Sequence, residues 1–113
     1  MGILVPESSA TPGSPRFAGR YSDPQHPGCL REIIPRGREV IVRGADGTPS
    51  CGVQGGAQSW ELRGRRGRGT PDTLQGDELL IDFSSKGGPK DVVVKWTGKG
   101  IRFPDGNEWT RIG

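Results

Sequence analysis

DFSSKGGPKDVVVKWTGKGIRFPDGNEWTRIG, residues 82–113, decides the fold class. Asp91–Thr97 carries Val92, Val93, Val94 and Trp96, the β-branched and aromatic residues that suit a pleated, half-buried surface. Ile101–Phe103 and Glu108–Ile112 are two further short runs of the same kind. Between them stand SSKGGPK, TGKG and PDGN, whose Gly, Pro, Asp and Asn residues reverse a chain. No apolar residues recur here at i, i+3, i+4 and i+7, so the stretch reads as successive hairpins and not as helix.

Working back toward the N-terminus, the same grammar continues. Glu78–Phe83 alternates, with Leu79, Ile81 and Phe83 on one face. Trp60 and Leu62 share a face in a short strand, and Val40 and Val42 do so in Glu39–Arg43. Leu30–Ile34 is a strand stopped by Pro35-Arg36-Gly37. FAGRYSD places Phe17, Gly19 and Tyr21 on alternate positions. Gly44–Gly47 is expected to turn the chain, Thr48–Ser59 to form a long loop, and Arg63–Asp72 a basic loop. DPQHPG, residues 23–28, is a rigid loop, because two prolines remove backbone donors and fix the backbone. About eight short strands with turns every 8–12 residues predict an all-β, small antiparallel barrel. Short connections favour an up-and-down meander. Residues 1–15, rich in Ser, Thr, Pro and Gly, read as a flexible N-terminal arm, and residues 16–113 as one domain.

Composition narrows the function classes. The chain has 113 residues, of which 30% are hydrophobic, with 20 glycines and 10 prolines. The net charge of +3 comes from 16 basic and 13 acidic residues, largely interleaved, which is weak and two-sided for a general polyanion binder. No run is long and apolar enough to span a bilayer. The opening residues resemble neither a secretory signal nor a transit peptide, which points to a soluble intracellular protein. Cys29 and Cys51 are too few for a disulfide scaffold. Two free, partly buried thiols is the preferred reading, and a single disulfide between them, pointing to an oxidising compartment, is the alternative.

No motif here assembles catalytic chemistry. His26 is the single histidine, and with two cysteines it falls short of a four-ligand zinc site, so neither metal nor cofactor is expected. Asp23, Asp46, Asp72 and Asp105 sit at turn signals, where bonding to the backbone explains them. RGRRGRG places Arg63, Arg65, Arg66 and Arg68 close together. Guanidinium planes grip phosphates or acidic surfaces, so these four are candidate partner-binding residues for an acidic protein or, less favoured, a nucleic acid. Trp60, Trp96 and Trp109 are candidates for core packing or for lining a ligand cavity inside the barrel.

Three blocks carry a resemblance: YSDPQHPGCLREI (residues 21–33), DFSSKGGPKD (82–91) and GIRFPDGNEWT (100–110). In these the chain is similar to a family of small, largely uncharacterised β-rich proteins of plants and algae. The resemblance implies a photosynthetic host and a chloroplast location in place of a cytoplasmic one, and it transfers no activity. The RGRRGRG stretch lies outside the blocks. The expectation from sequence is therefore a non-catalytic binding or structural module, an accessory subunit docking to a larger protein assembly. Nucleic-acid binding through Arg63–Arg68, and a carrier of a small hydrophobic ligand in a Trp-lined barrel, are the alternatives.

Overall fold

The computed structural model describes residues 14–47, 51, 57–67 and 74–113. Among them eight antiparallel strands run in chain order around a closed barrel. They are β1 (Gly19–Ser22), β2 (Leu30–Arg36), β3 (Glu39–Gly47), β4 (Ala57–Arg66), β5 (Glu78–Asp82), β6 (Val92–Trp96), β7 (Gly100–Arg102) and β8 (Glu108–Arg111). The last strand returns to the first, with Tyr21 opposite Arg111 and Ser22 opposite Thr110. Closure pairs the two edges that an open sheet would leave exposed. The expected meander is what forms.

Alternation of side chains drives this closure. In β5, Leu79 and Ile81 are buried while their neighbours are partly exposed. In β2, Arg31 and Ile33 are buried between exposed Leu30 and Glu32. The interior is packed with Val40, Val42, Leu62, Leu79, Ile81, Val94 and Ile101. Each such side chain stabilises the fold by roughly 1.5–3 kcal/mol when fully buried. The outer face carries a row of alternating sign across four strands. Arg20 stands opposite Glu32, Glu32 opposite Arg43, and Arg43 opposite Glu61. The Arg43 Nε–Glu61 Oε1 distance of 3.2 Å is that of an exposed pair, worth about 1 kcal/mol at most.

The far end of the barrel is plugged. A single helical turn, Ser14–Phe17, precedes β1 and buries Phe17 completely. The Phe17 ring meets Trp96 edge-on, with centroids 6.1 Å apart. Tyr21, also fully buried, donates its hydroxyl to the Phe17 carbonyl at 2.8 Å. Burial pushes the Tyr21 phenol up to about 12, against a smaller opposing effect of the Arg111 cation.

Several segments differ from expectation: Phe17 lies in the helical turn and not in the strand of Tyr21, and β2 runs on through Pro35 to Arg36. Gly44–Gly47 does not turn: it continues β3, with Gly44 opposite Trp60 and Gly47 opposite Ala57. Accordingly β4 begins at Ala57 and not at Trp60. Arg63–Arg66 is strand and not loop. Its arginines and glycine imitate loop composition, yet the wall pairs them on both sides. Glu39 stands opposite Arg65, and Asp82 opposite Arg63. Arg66 donates Nε to the Gly37 carbonyl at 2.9 Å. Arg63 and Arg65 have the outward parity of the strand, where a charge stays close to water, which is why composition misreads it. Of the expected arm, residues 1–13 lie outside the described residues, as do Arg68 and Asp72.

Tyr21 is the only tyrosine of the chain, so ultraviolet titration reads it alone. Tyrosinate is expected to form near pH 12 in the folded protein. The raised value means that the stability from the buried phenol persists below the ordinary phenol range. It is lost as pH rises through the folded value. Ionisation near pH 10 in protein still folded by circular dichroism would contradict this burial. Gly100 offers a second check, since a Cβ there would collide with the Trp109 backbone carbonyl. Gly100→Ala is expected to destabilise by about 1–3 kcal/mol, whereas Gly76→Ala, with open space around it, should leave the denaturation midpoint unchanged or raised.

Candidate functional site at the barrel mouth

An eight-strand meander sends the ends of the odd strands and the starts of the even strands to one mouth. The β1–β2, β3–β4, β5–β6 and β7–β8 connections meet there. Cys29 and Cys51 are joined in a disulfide, which ties the first two of these connections together. This corrects the preferred reading of free thiols. Nothing in the linear spacing shows the pairing, because the register of β2 on β3 is what brings the two segments side by side.

An in-register row builds the floor. Arg31 of β2 stands opposite Gly44 of β3, and Gly44 opposite Trp60 of β4. Arg31 shares the inward parity of Ile33, and Gly44 that of Val42. A Cβ on Gly44 would collide with the Trp60 indole. The missing side chain lets the indole lie across the row, with the Arg31 guanidinium carbon 5.1 Å from its ring centroid. The Trp109 ring lies 5.3 Å from the same carbon.

Arg31 is only 2% exposed. A buried charge costs several kcal/mol unless it is paired and hydrogen-bonded. Its Nη1 donates to the Ala45 carbonyl at 2.7 Å, and its Nη2 to Asp46 Oδ1 at 2.8 Å. Asp23 Oδ2, also buried, is 3.4 Å from Nη2. Arg31 Nε has no hydrogen-bond partner among the described residues. Lys86 reaches in from the β5–β6 turn, donating to Asp46 Oδ2 at 2.6 Å and lying 4.1 Å from the Trp60 ring centroid. Burial pushes the Asp46 carboxyl up, but hydrogen bonds from Lys86 and Arg31 outweigh it and hold the group well below the ordinary carboxylate range. His26 Nδ1 lies 3.7 Å from Asp46 Oδ1.

The opposite wall is apolar. Phe103 packs on Trp109 with centroids 4.8 Å apart, and Phe83 lies 6.1 Å from Phe103. Between the two walls is a cavity of about 330 Å³, completed by Pro89, Val92 and Pro104 on the apolar side and by Gln25, His26 and Asn107 on the polar side. Asn107 Nδ2 donates to Asp23 Oδ1 at 3.2 Å.

The candidate residues are thus dispersed. Trp60 and Trp109 line the mouth together with His26. Trp96 is at the plugged end against Phe17. Arg63 and Arg65 lie on the wall of β4. Among the described residues no group of three His, Cys, Asp or Glu side chains is placed to hold a metal ion. Sequence reading missed Arg31, Lys86 and the ion-paired role of Asp46. Asp23 does accept the expected turn bond, from Gln25 N at 2.9 Å, yet it also faces Arg31. Arg31 occupies an inward position of β2, which the sequence hides because Leu30 and Ile34 stand on the other face. The three blocks 21–33, 82–91 and 100–110 all contribute residues to this mouth. No protein-family model, curated protein or solved structure matches the chain.

Arg31→Ala is expected to destabilise by about 3–5 kcal/mol, because it strands the buried Asp23 carboxylate. Urea denaturation measures this. The depressed Asp46 carboxyl stabilises the fold above its unfolded value of about 3.9, and that contribution is lost as pH falls below it. Asp46→Asn should therefore flatten the acid limb of the stability profile, and an unaltered limb would show that the cluster is not formed. Reduction of Cys29–Cys51, which closes a loop with a sequence separation of 22, is expected to lower stability by about 3 kcal/mol.

Proposed function

We propose that this protein is a non-catalytic binding module that holds a small ligand in the mouth of its barrel. The observation that carries this reading is the cavity of about 330 Å³ set between an ion-paired wall and an aromatic wall. Its size falls at the lower end of the ~300–1,000 Å³ range of small-molecule sites. Both walls are held before any ligand arrives. The disulfide, the prolines of the loops and the Arg31–Asp46–Lys86 cluster fix the side chains in place. Such preorganisation removes part of the ordering cost of binding.

Two observations favour this over docking to a larger assembly. The exposed large hydrophobic residues among those described are Leu30 and Ile112, which is little for a protein interface whose energy rests on apolar and aromatic anchors. Four of the seven aromatic residues, Trp60, Phe83, Phe103 and Trp109, line the concave mouth instead. A non-catalytic role is supported by the commitment of the charged groups to one another. Asp46 is held in its ionised form and makes a poor proton carrier near neutral pH. The disulfide supports residence in an oxidising compartment.

The three indoles supply the test. A fragment screen against isotope-labelled protein is expected to give hits that shift the Trp60 and Trp109 indole N–H resonances and leave Trp96 unmoved. Hits that instead shift Trp96, or the Arg63 and Arg65 wall of β4, would overturn the assignment of the mouth.

A further inference from the structure

We infer that the ligand of this mouth is a neutral carbohydrate ring, an inference that rests on the binding reading above and narrows it to a chemical class. Charge is the first consideration. The cations at the mouth, Arg31 and Lys86, are already paired with Asp46, and Arg31 also faces Asp23. Asp105 adds a further carboxylate to the lining. An incoming anion therefore meets carboxylates whose partners are taken. An incoming cation meets an indole already occupied by two cations, Arg31 at 5.1 Å and Lys86 at 4.1 Å. An anion would therefore lose its hydration without gaining a free counter-charge, and a cation would find among the lining carboxylates only the exposed Asp105, a pairing that contributes little in contact with water.

The second consideration is that the cavity has two unlike sides. Phe83, Phe103 and Val92 offer an apolar surface, which suits the C–H face of a pyranose. The polar part of the lining has the exposed Asp105 carboxylate as an acceptor, while Gln25, His26 and Asn107 bring groups that donate and accept. A hydroxyl is the neutral group that both donates and accepts, so a ring bearing several hydroxyls can satisfy a mixed wall without leaving either kind of partner bare. A flat aromatic ligand without hydroxyls would cover the apolar side and leave the polar side desolvated and unpaired, at a cost of about 1–3 kcal/mol per group. The volume of about 330 Å³ leaves room for one or two rings and not for an extended chain.

The experiment titrates the intact, oxidised protein with two sets of probes. One set is the methyl glycosides of neutral hexoses and pentoses in both anomers. The other is indole, benzoate and benzylamine, which share the apolar body but lack the hydroxyls. Backbone and indole resonances and intrinsic fluorescence are read throughout. The expected result is saturable binding of at least one glycoside with shifts confined to Trp60, Trp109 and the four mouth connections, and weaker or no binding of the second set. The rim variant Gln25→Ala/His26→Ala should weaken the glycoside at least about tenfold through the loss of two hydrogen bonds. Arg63→Ala, on the outer wall, should leave it unchanged. Binding of indole, benzoate or benzylamine at the mouth with no glycoside binding would overturn the carbohydrate assignment and leave the pocket reading standing. Binding of no probe from either set, or shifts elsewhere only, would overturn both.

Discussion

A guanidinium inside a β-barrel has to find its counter-charges within its own reach, and Arg31 thereby dictates how the open end of this protein is built. Its partners come from different places in the chain: Asp23 after β1, and Ala45 and Asp46 near the end of β3. Satisfying one planar group therefore draws the β1–β2 loop and the end of β3 together. Gly44 is the geometric condition for this. Any side chain there would push the Trp60 indole away from the row it shares with Arg31. A hydrophobic residue of similar size would fill the same space, and replacing buried ion pairs by apolar groups is often neutral or stabilising. Stability alone is thus a weak reason for a charged floor. A pocket that needs a polar side is a better one.

The two ends of the barrel solve different problems with the same materials. At one end Phe17 and Trp96 meet edge-on, Tyr21 is tied to the Phe17 carbonyl, and the helical turn closes the lumen. At the other end the aromatic residues stand apart from the polar ones and leave a space between. The packed layer of Val, Leu and Ile between the ends separates them, so the cavity is a cup and not a channel. Rigidity is concentrated around the cup. The disulfide joins two of the four mouth connections, and Lys86 links a third to Asp46. Asn107 links the fourth to Asp23. All four connections are thereby fastened to one charge cluster.

Much of the fold was legible because it depends on local rules. Alternation in Glu78–Asp82 and Val92–Trp96, with turns such as PDGN, is enough to give antiparallel neighbours in chain order. The errors fell where composition imitates a loop. Gly44 is a glycine inside a strand because an indole needs its place, and Arg63 and Arg65 are polar because they alternate with the inward Leu62 and Gly64. The site was far less legible. Asp23, Arg31, Asp46 and Lys86 are scattered over more than sixty positions, and each has an ordinary local explanation when read alone. Only the pairing of successive strands around the closed barrel brings them together, and register is a tertiary property. No local clue marked Arg31, because in Leu30–Ile34 the apolar Leu30 and Ile34 share the other face and alternation would send Arg31 outward.

Register also changes the meaning of the positive charge. Read along the chain, the net charge of +3 and the RGRRGRG stretch suggest a surface made for polyanions. Read on the barrel, several arginines fasten backbone carbonyls. Arg66 holds the Gly37 carbonyl at the β2–β3 turn, Arg111 those of Arg16 and Ala18 beside the plug, and Arg31 that of Ala45 at the mouth. A guanidinium does this well, having five donors in a planar fork and a weakly hydrated charge. Others stand opposite acids in register, Arg20 and Arg43 about Glu32, Arg65 across from Glu39. Polyanion binding draws on a one-sided field, and these placements divide the charge among the plug, the wall and the floor. Other hollows exist, one of about 500 Å³ around Arg43 and Glu61 and one of about 430 Å³ beside Arg63 and Arg65, but the mouth is the one lined by Phe83, Phe103 and Trp109 together with the paired charges of Arg31 and Lys86, which is why the binding reading is placed there and not on the arginines of β4.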